Sequence, residues 1–131
     1  MPSETVQIRA IGQDLNRTLE RVVRKVTLDI TANLIRTTPV DTGWARANWI
    51  PRIGRPVGRP AGTREAVNTA EQAAGQASIA SYRLQNGTTH VTNNVPYINR
   101  LNMGHSRQAP AGFVQGAIRK AVEEDLRGFR P

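Results

Sequence analysis

The sequence predicts an α+β protein in which a small antiparallel sheet is flanked by a long N-terminal helix and a C-terminal helix. Apolar residues recur every three or four positions near both ends of the chain, as they do on one face of an amphipathic helix. Between these stretches lie short apolar runs bounded by glycine and proline, which is typical of strands joined by turns. The length of 131 residues favours one domain spanning residues 1–131.

The first helix is predicted from Ile11 to Arg36. The pairs Asp14–Arg17 and Glu20–Arg24 lie at spacings that favour a helix. Its apolar stripe consists of Ile11, Leu15, Leu19, Val22, Val23, Val26, Ile30, Leu34 and Ile35. Steps of three and four residues separate most of these side chains, so they would lie along one face.

A tight turn is predicted after this helix. Pro39 disfavours helical geometry in the residue before it, so the helix should end there. Asp41 can bond to the backbone two residues on, and Gly43 supplies a positive φ angle. Pro39, Asp41 and Gly43 are therefore interpreted as structural turn residues.

The residues Trp44 to Ile50 alternate loosely in polarity and are interpreted as a strand. Trp44 and Trp49 are five positions apart, so a regular strand would place them on opposite faces. One tryptophan could belong to the core and the other could face a partner, and the sequence leaves both roles open for each.

The stretch from Pro51 to Thr63 is interpreted as an extended arm. It holds three prolines, three glycines and three arginines and no acidic residue, so a regular element is not expected. Arg52, Arg55 and Arg59 are candidate interface residues. Contact with a neighbouring protein is favoured over solvent exposure alone, and contact with DNA is the third possibility.

Thr63 is predicted to cap an alanine-rich helix from Arg64 to about Tyr82. Its apolar face would be small, so close packing or a marginal helix is expected. Asn86-Gly87 is a turn signal, and Thr88 to Thr92 is a predicted strand.

The segment from Asn93 to Val114 combines turn formers with large apolar residues, so it should pack as a unit between regular elements. A strand end (Val91 to Asn94), a helical turn (Pro96 to Met103) and a helix from Pro110 to about Arg127 are predicted. Pro96 and Pro110 suit first helical positions, and Gly104 suits a helix stop. Tyr97 is, with Trp44 and Trp49, a candidate interface or core anchor. The last helix should pack through Phe113, Val114, Ala117, Ile118, Ala121, Val122 and Leu126.

The composition limits the classes of function that the sequence supports. The net charge is +8, with 16 arginines and only 2 lysines, a bias that fits protein interfaces at least as well as nucleic acid. The chain has no cysteine, which excludes disulfides and thiolate metal sites. No apolar run reaches the length of a membrane span, and no signal peptide is recognised, so we expect no membrane partner and synthesis in a cytosol-like compartment.

No catalytic or cofactor motif stands out. Asp41 is better explained as a turn residue than as a catalytic acid. His90 and His105 lack the spacing of a metal site, and Ser106 lacks the setting of a nucleophile. We therefore expect no enzymatic activity, no metal and no cofactor.

Two ordered segments resemble a known family. The first is Thr38-Pro39-Val40-Asp41-Thr42-Gly43 followed by Arg46-Ala47-Asn48-Trp49. The second runs from Thr92-Asn93-Asn94-Val95-Pro96-Tyr97 through Gly104-His105-Ser106 to Gln108-Ala109-Pro110-Ala111-Gly112-Phe113-Val114. Together they resemble the signatures of the tail-completion or neck proteins of long-tailed bacteriophages, minor tail components of the head–tail junction. The chain departs from the family at Ala45, where leucine is common, and at Asn48, where serine is common.

The resemblance implies a structural virion protein without catalysis. It implies a homo-oligomeric ring, expected to be hexameric, that completes the top of the tail and joins it to the capsid connector. The implied neighbours are the head–tail connector and tail terminator or tail tube proteins, with possible contact to DNA in the channel. The alternative reading is a small basic nucleic-acid-binding protein.

Overall fold

The structure is a computed structural model that describes residues 4–39, 43–104 and 110–127, with only the backbone for residues 4–7. It is an α+β fold, as predicted. The elements are, in order, α1 (Glu4–Thr37), α2 (Trp44–Ala47), β1 (Ile50–Ile53), α3 (Ala70–Ala80), a 3-10 turn (Leu84–Asn86), β2 (Thr89–Thr92), α4 (Ile98–Asn102) and α5 (Phe113–Arg127).

The core forms where α1, α5 and the sheet meet. It is centred on the buried side chains of Leu34, Trp49, Phe113 and Ala117. Helices α1 and α5 run antiparallel, because Asn33 Nδ2 donates to Ala117 O at 3.2 Å while Lys25 lies beside Asp125 further along. The small buried residues Ala117 and Ala121 let the two helices approach closely. Partly buried hydrophobic side chains surround this centre, namely Ile30, Ile35, Val91, Ile98, Leu101 and Val114.

The sheet has two antiparallel strands, β1 and β2, in a register that pairs Pro51 with Val91 and Arg52 with His90. A proline is compatible with this strand because each strand of a two-stranded sheet has a free edge that needs no backbone donor. The predicted arm therefore starts too early, since Pro51, Arg52 and Ile53 belong to β1. Residues 54–69, which we call the connecting loop, have no regular structure.

The strand predicted from Trp44 to Ile50 is wrong. Gly43 adopts φ 71°, and a single helical turn, α2, follows it, with Ala47 N donating to Gly43 O at 3.0 Å. Alanine and arginine favour a helix over a strand, and loose alternation over so few residues could not distinguish the two. The extended chain begins only at Ile50.

The helix predicted from Arg64 begins later, at Ala70. Thr63 and Ala66 instead exchange backbone hydrogen bonds, which closes a turn, and Thr63 Oγ1 accepts a further bond from Ala66 N. Asn68 Oδ1 accepts from Ala70 N at 2.8 Å, next to the true helix start. The alanines of α3 are exposed, and its buried residues are Gln72, Gly75 and Ile79.

Helix α1 begins earlier in the chain than predicted, at Glu4. It contacts the residues that follow α3 and the start of the 3-10 turn. Arg24 donates to Tyr82 O at 2.7 Å, and Glu20 Oε1 accepts from Leu84 N at 3.1 Å. Glu20 also pairs with Arg83 at 3.4 Å. These two α1 side chains were expected to support the helix by pairing with each other, whereas in the structure they hold a distant segment.

Asp125 is a largely buried carboxyl group between α5 and α1. Its side chain is 7% exposed, Oδ1 lies 3.4 Å from Lys25 Nζ, and Oδ2 is buried without a hydrogen-bond partner among the described residues. Lys25 also pairs with Asp29 at 3.0 Å. Burial raises the pKa of Asp125 above its ordinary value of 3.8, and the neighbouring Asp29 raises it further, while Lys25 opposes both effects.

Replacing Gly75 tests the packing of α3 on the sheet. A Cβ at this position would collide with the carbonyl oxygen of Pro51. We expect Gly75→Ala to lower the free energy of unfolding by about 1–3 kcal/mol in urea denaturation, because backbone atoms must move apart. The control is Gly116→Ala in α5, where a Cβ meets nothing within 4 Å and helix propensity should add up to about 1 kcal/mol. Equal stability of the Gly75→Ala variant and the wild type would contradict this account.

The raised pKa of Asp125 predicts how the stability of the fold depends on pH. A raised carboxyl pKa means that the folded state binds the proton more tightly, so the stability from this group is present at low pH and lost as pH rises from 3.8 through the raised pKa. We expect Asp125→Asn to remove this loss and to raise the thermal midpoint at neutral pH, where an amide can donate to Asp29. Melting curves between about pH 3 and 7 measure the effect. The exposed Asp14→Asn is the control, and parallel pH profiles for wild type and Asp125→Asn would reject the assignment.

Candidate interaction surfaces

The segment from Trp44 to Trp49 is held by the buried side chain of Asn48. Asn48 Oδ1 accepts from Ala61 N at 2.6 Å, and its Nδ2 donates to Ala61 O at 3.0 Å and to Trp44 O at 2.9 Å. The indole of Trp44 donates to the same Ala61 oxygen at 3.1 Å. The connecting loop is thereby docked at Ala61, so this part of the predicted arm lies against its own chain.

Side chains of the same segment form hydrogen bonds at the C-terminal end of α1. Trp49 Nε1 donates to Thr38 Oγ1 at 2.7 Å, and Thr38 Oγ1 donates to Leu34 O. Arg46 donates to Thr38 O at 3.1 Å and to Arg36 O at 3.0 Å. Carbonyl groups that a helix leaves without partners at its end are thus satisfied. Trp49 is 6% exposed, which places it in the core.

The two sequence segments that resemble the phage family meet in the fold. Asn93 Nδ2 donates to Ala45 O at 2.8 Å, and Asn94 Nδ2 donates to Val57 O at 2.7 Å in the connecting loop. The rings of Trp44 and Tyr97 lie 6.0 Å apart at an interplanar angle of 58°. Both segments and the connecting loop therefore form one bonded unit.

An aromatic and cationic patch lies at this junction. Arg64 is exposed, and its guanidinium carbon is 5.2 Å from the centre of the Tyr97 ring. Trp44 and Tyr97 are partly exposed, so each combines intramolecular packing with an accessible edge. Arginine stacked on aromatic rings is enriched at protein interfaces. Sequence patterns assign no role to Arg64, since its approach to Tyr97 depends on a contact between distant parts of the chain.

The arginine loop is our name for the four exposed arginines Arg52, Arg55, Arg59 and Arg64 and the chain between them. Arg52 lies on β1 and the others on the connecting loop. The sequence from Pro51 to Arg64 carries no acidic residue. Because its backbone is fixed at Val57 and Ala61 by Asn94 and Asn48, the loop can present these cations with little ordering cost on binding.

A ridge of exposed aliphatic side chains runs along the N-terminal half of α1. The exposed fractions are 69% for Ile8, 60% for Ile11, 54% for Leu15 and 46% for Leu19. Steps of three or four residues place all four on one side of the helix. The ridge extends beyond the part of α1 that packs on α5, so none of the described elements covers it.

An apolar groove opens beside the core between α1, α5 and β2, with a volume of about 250 Å³. None of its lining residues carries a charge. They are Thr27, Ile30, Leu34, Trp49, Thr89, Val91, Val114 and Ile118. Ile118 is 39% exposed, so the groove continues onto the surface of α5.

The predicted turn residues have different outcomes. Pro39 is buried at the end of α1, and Gly43 and Gly104 have φ angles of 71° and 93°, so both glycines adopt the left-handed conformation expected of them. Pro96 precedes the α4 N-cap Tyr97, and Pro110 lies three residues before α5, so neither is at a first helical position. Asp41 lies outside the described residues.

The described residues include few candidates for catalysis or metal binding. His90 lies on β2 opposite Arg52, whereas His105 and Ser106 fall outside the described residues. In the parts of the chain that the structure describes, no group of three His, Asp or Glu side chains could hold a metal ion. None of the described helices is both long and apolar enough to cross a membrane.

Comparisons of the chain with known protein families, with curated proteins and with solved structures give no match.

Removing the Asn48 amide tests whether it holds the connecting loop. We expect Asn48→Ala to lower the free energy of unfolding by roughly 1–3 kcal/mol, because the buried Ala61 N–H loses its partner and Ala61 O keeps only the Trp44 indole. The Ala61 amide should also exchange its hydrogen faster in hydrogen–deuterium exchange. Asn16→Ala, an exposed position on α1, is the matched control. Unchanged protection of Ala61 would show that other contacts hold the loop.

Proposed function

We propose that the chain is a structural virion protein of a long-tailed bacteriophage, placed at the head–tail junction. It would form a homo-oligomeric ring, expected to have six copies, that completes the top of the tail. Its neighbours would be the head–tail connector on one side and tail terminator or tail tube proteins on the other. The protein is made in the bacterial cytoplasm and acts by binding.

The observation that carries the proposal is the contact between the two family-like segments. Asn93 bonds the backbone of Ala45, and Tyr97 lies against Trp44, so the second family-like segment contacts the two residues that join the halves of the first. Such mutual support is expected when both signatures encode a single scaffold. The surfaces around this scaffold then supply the contacts to other proteins.

The arginine loop supports a binding role towards acidic protein surfaces. Guanidinium groups form paired hydrogen bonds with carboxylates, and a stacked guanidinium such as Arg64 on Tyr97 keeps donors free at its edges. The loop's fixed backbone suits a static joint between rigid ring components. We place the contact to an acidic neighbour here.

Nucleic-acid binding is the second candidate, favoured by the same acid-free stretch. DNA passes through the centre of a head–tail junction, so arginines facing a channel would meet phosphates. If Arg52, Arg55 and Arg59 each held a phosphate, the logarithm of affinity should fall with the logarithm of salt concentration with a slope of about −2.7. The partly exposed aromatic groups, Trp44 and Tyr97, offer few platforms for stacked bases.

Intact particles provide the direct test of the main proposal. Mass spectrometry of purified virions of the phage that encodes the chain should detect it, and electron cryomicroscopy should place it as a closed ring between capsid and tail. Absence from mature particles would overturn the proposal. Strong, salt-sensitive DNA binding by the isolated protein, with the slope given above, would favour the second candidate instead.

Charge reversal on the connecting loop tests its role in joining. We expect the double variant Arg55→Glu/Arg59→Glu to fold normally, because both side chains are exposed on irregular backbone, yet to reduce assembly of infectious particles at least tenfold. Substitution is cleaner than deletion of residues 52–59, which would remove part of β1. The exposed Arg119→Glu on α5 is the control. Wild-type titres from the double variant would remove these arginines from the account.

A further inference from the structure

Helix α1 is longer than the elements that cover it. Its 34 residues span about 51 Å, whereas α5 has 15 residues and ends near the middle of α1, where Asp125 reaches Lys25. The N-terminal half therefore carries the ridge of Ile8, Ile11, Leu15 and Leu19 past the described body. Most helical stability in proteins comes from packing of an apolar face, so covering the ridge would stabilise this half of α1.

We propose that the ridge of one copy lies in the apolar groove of the next copy. The contact pairs two different surfaces of the same chain, which is the heterologous interface that a closed ring requires. In this respect the inference rests on the proposed function, because it names the surfaces by which the proposed ring would hold together.

The ridge cannot fill the groove of its own chain. Thr27, Ile30 and Leu34 line the groove and belong to α1, the same continuous helix that carries the ridge. A rigid helix cannot fold back on itself, so a ridge that fills this groove must belong to another copy. A groove between two antiparallel helices is also a shape into which the side-chain ridge of a third helix packs.

Charge argues that this molecule is a second copy. The chain carries +8, so two copies repel each other through most of their surfaces. The four ridge side chains, however, are uncharged, and the groove lining contains no charged residue either. A neutral apolar contact is the kind that like-charged copies can form, whereas an acidic partner would gain more from the arginine loop.

The size of the contact predicts how it assembles. From Ile8 to Leu19 the ridge is about 17 Å long and one helix wide. Its footprint is well below the roughly 800 Å² per partner of a standard stable interface. A single ridge–groove contact should therefore be weak, and assembly should depend strongly on concentration until every copy uses both surfaces in a closed ring.

A mixing experiment tests the inference. Leu15→Asp disables the ridge and Ile118→Asp disables the groove, and each alone should raise the dissociation constant roughly 100-fold in sedimentation equilibrium, since a carboxylate would be buried in apolar surroundings. Mixed in equal amounts, the two variants keep one intact ridge and one intact groove. The mixture should therefore form dimers and nothing larger, whereas the wild type associates further.

Controls make each outcome decisive. Met103→Asp, at an exposed position that belongs to neither surface, should associate as the wild type does. Circular dichroism checks folding, and Ile118→Gln replaces Ile118→Asp if the latter unfolds. A wild type that stays monomeric up to about 1 mM would overturn the inference, since association weaker than this is below about 4 kcal/mol. Continued self-association of both Ile118 variants, or no dimer in the mixture, would also overturn it.

The particle experiment separates this inference from the proposed function. A ring found at the junction together with a failed mixing test would reject the ridge–groove contact and leave the function standing. Dimers in the mixing test together with absence from virions would reject the function and leave the self-association standing.

Discussion

The pair of hydrogen bonds between Asn48 and the backbone of Ala61 is the constraint on which the surface features depend. It joins α2 to the connecting loop, and β1 begins two residues after Asn48. Because the amide is buried, neither Ala61 group can exchange its partner for water without cost. The position of the arginine loop relative to the sheet follows from this anchor, and so does the path that brings Arg64 over Tyr97.

A network of buried polar groups supplements a small apolar core. Thr31, Thr38, Asn48 and Gln72 are all buried and hydrogen-bonded to backbone carbonyls. Gln72 donates to Arg46 O and Trp49 O and so links α3 to the segment around α2, which also contacts α1 and the connecting loop. Packed aliphatic side chains can shift past one another at little cost, whereas each of these hydrogen bonds forms only when its two elements are in one register. Polar contacts thereby fix the positions of the elements relative to one another, while some large aliphatic side chains remain on the surface.

The sequence predicts those features of the fold that depend on residues close together in the chain. The periodicity of α1 and α5 is a local property, and so are the left-handed glycines at 43 and 104, and these predictions were confirmed. The predicted start of α3 was wrong, because Thr63 and Ala66 close a turn instead. This turn follows Ala61, whose position is set by Asn48 from another part of the chain. The irregular backbone at Arg55 and Arg59 was predicted from the composition, while the stacking of Arg64 on Tyr97 depends on distant residues meeting.

The two kinds of exposed surface respond to different physical conditions, which bears on how such a chain can assemble. Contacts through the arginine loop weaken as salt rises, because counterions compete for the guanidinium groups. Contacts through the neutral ridge on α1 and the uncharged groove depend on burial of apolar area and are not screened. Salt also reduces the repulsion between copies that each carry +8, so it favours the ridge contact while it disfavours the arginine contact. The proposed self-association and the proposed attachment to an acidic neighbour would therefore be separable, because each uses its own surface of one small scaffold.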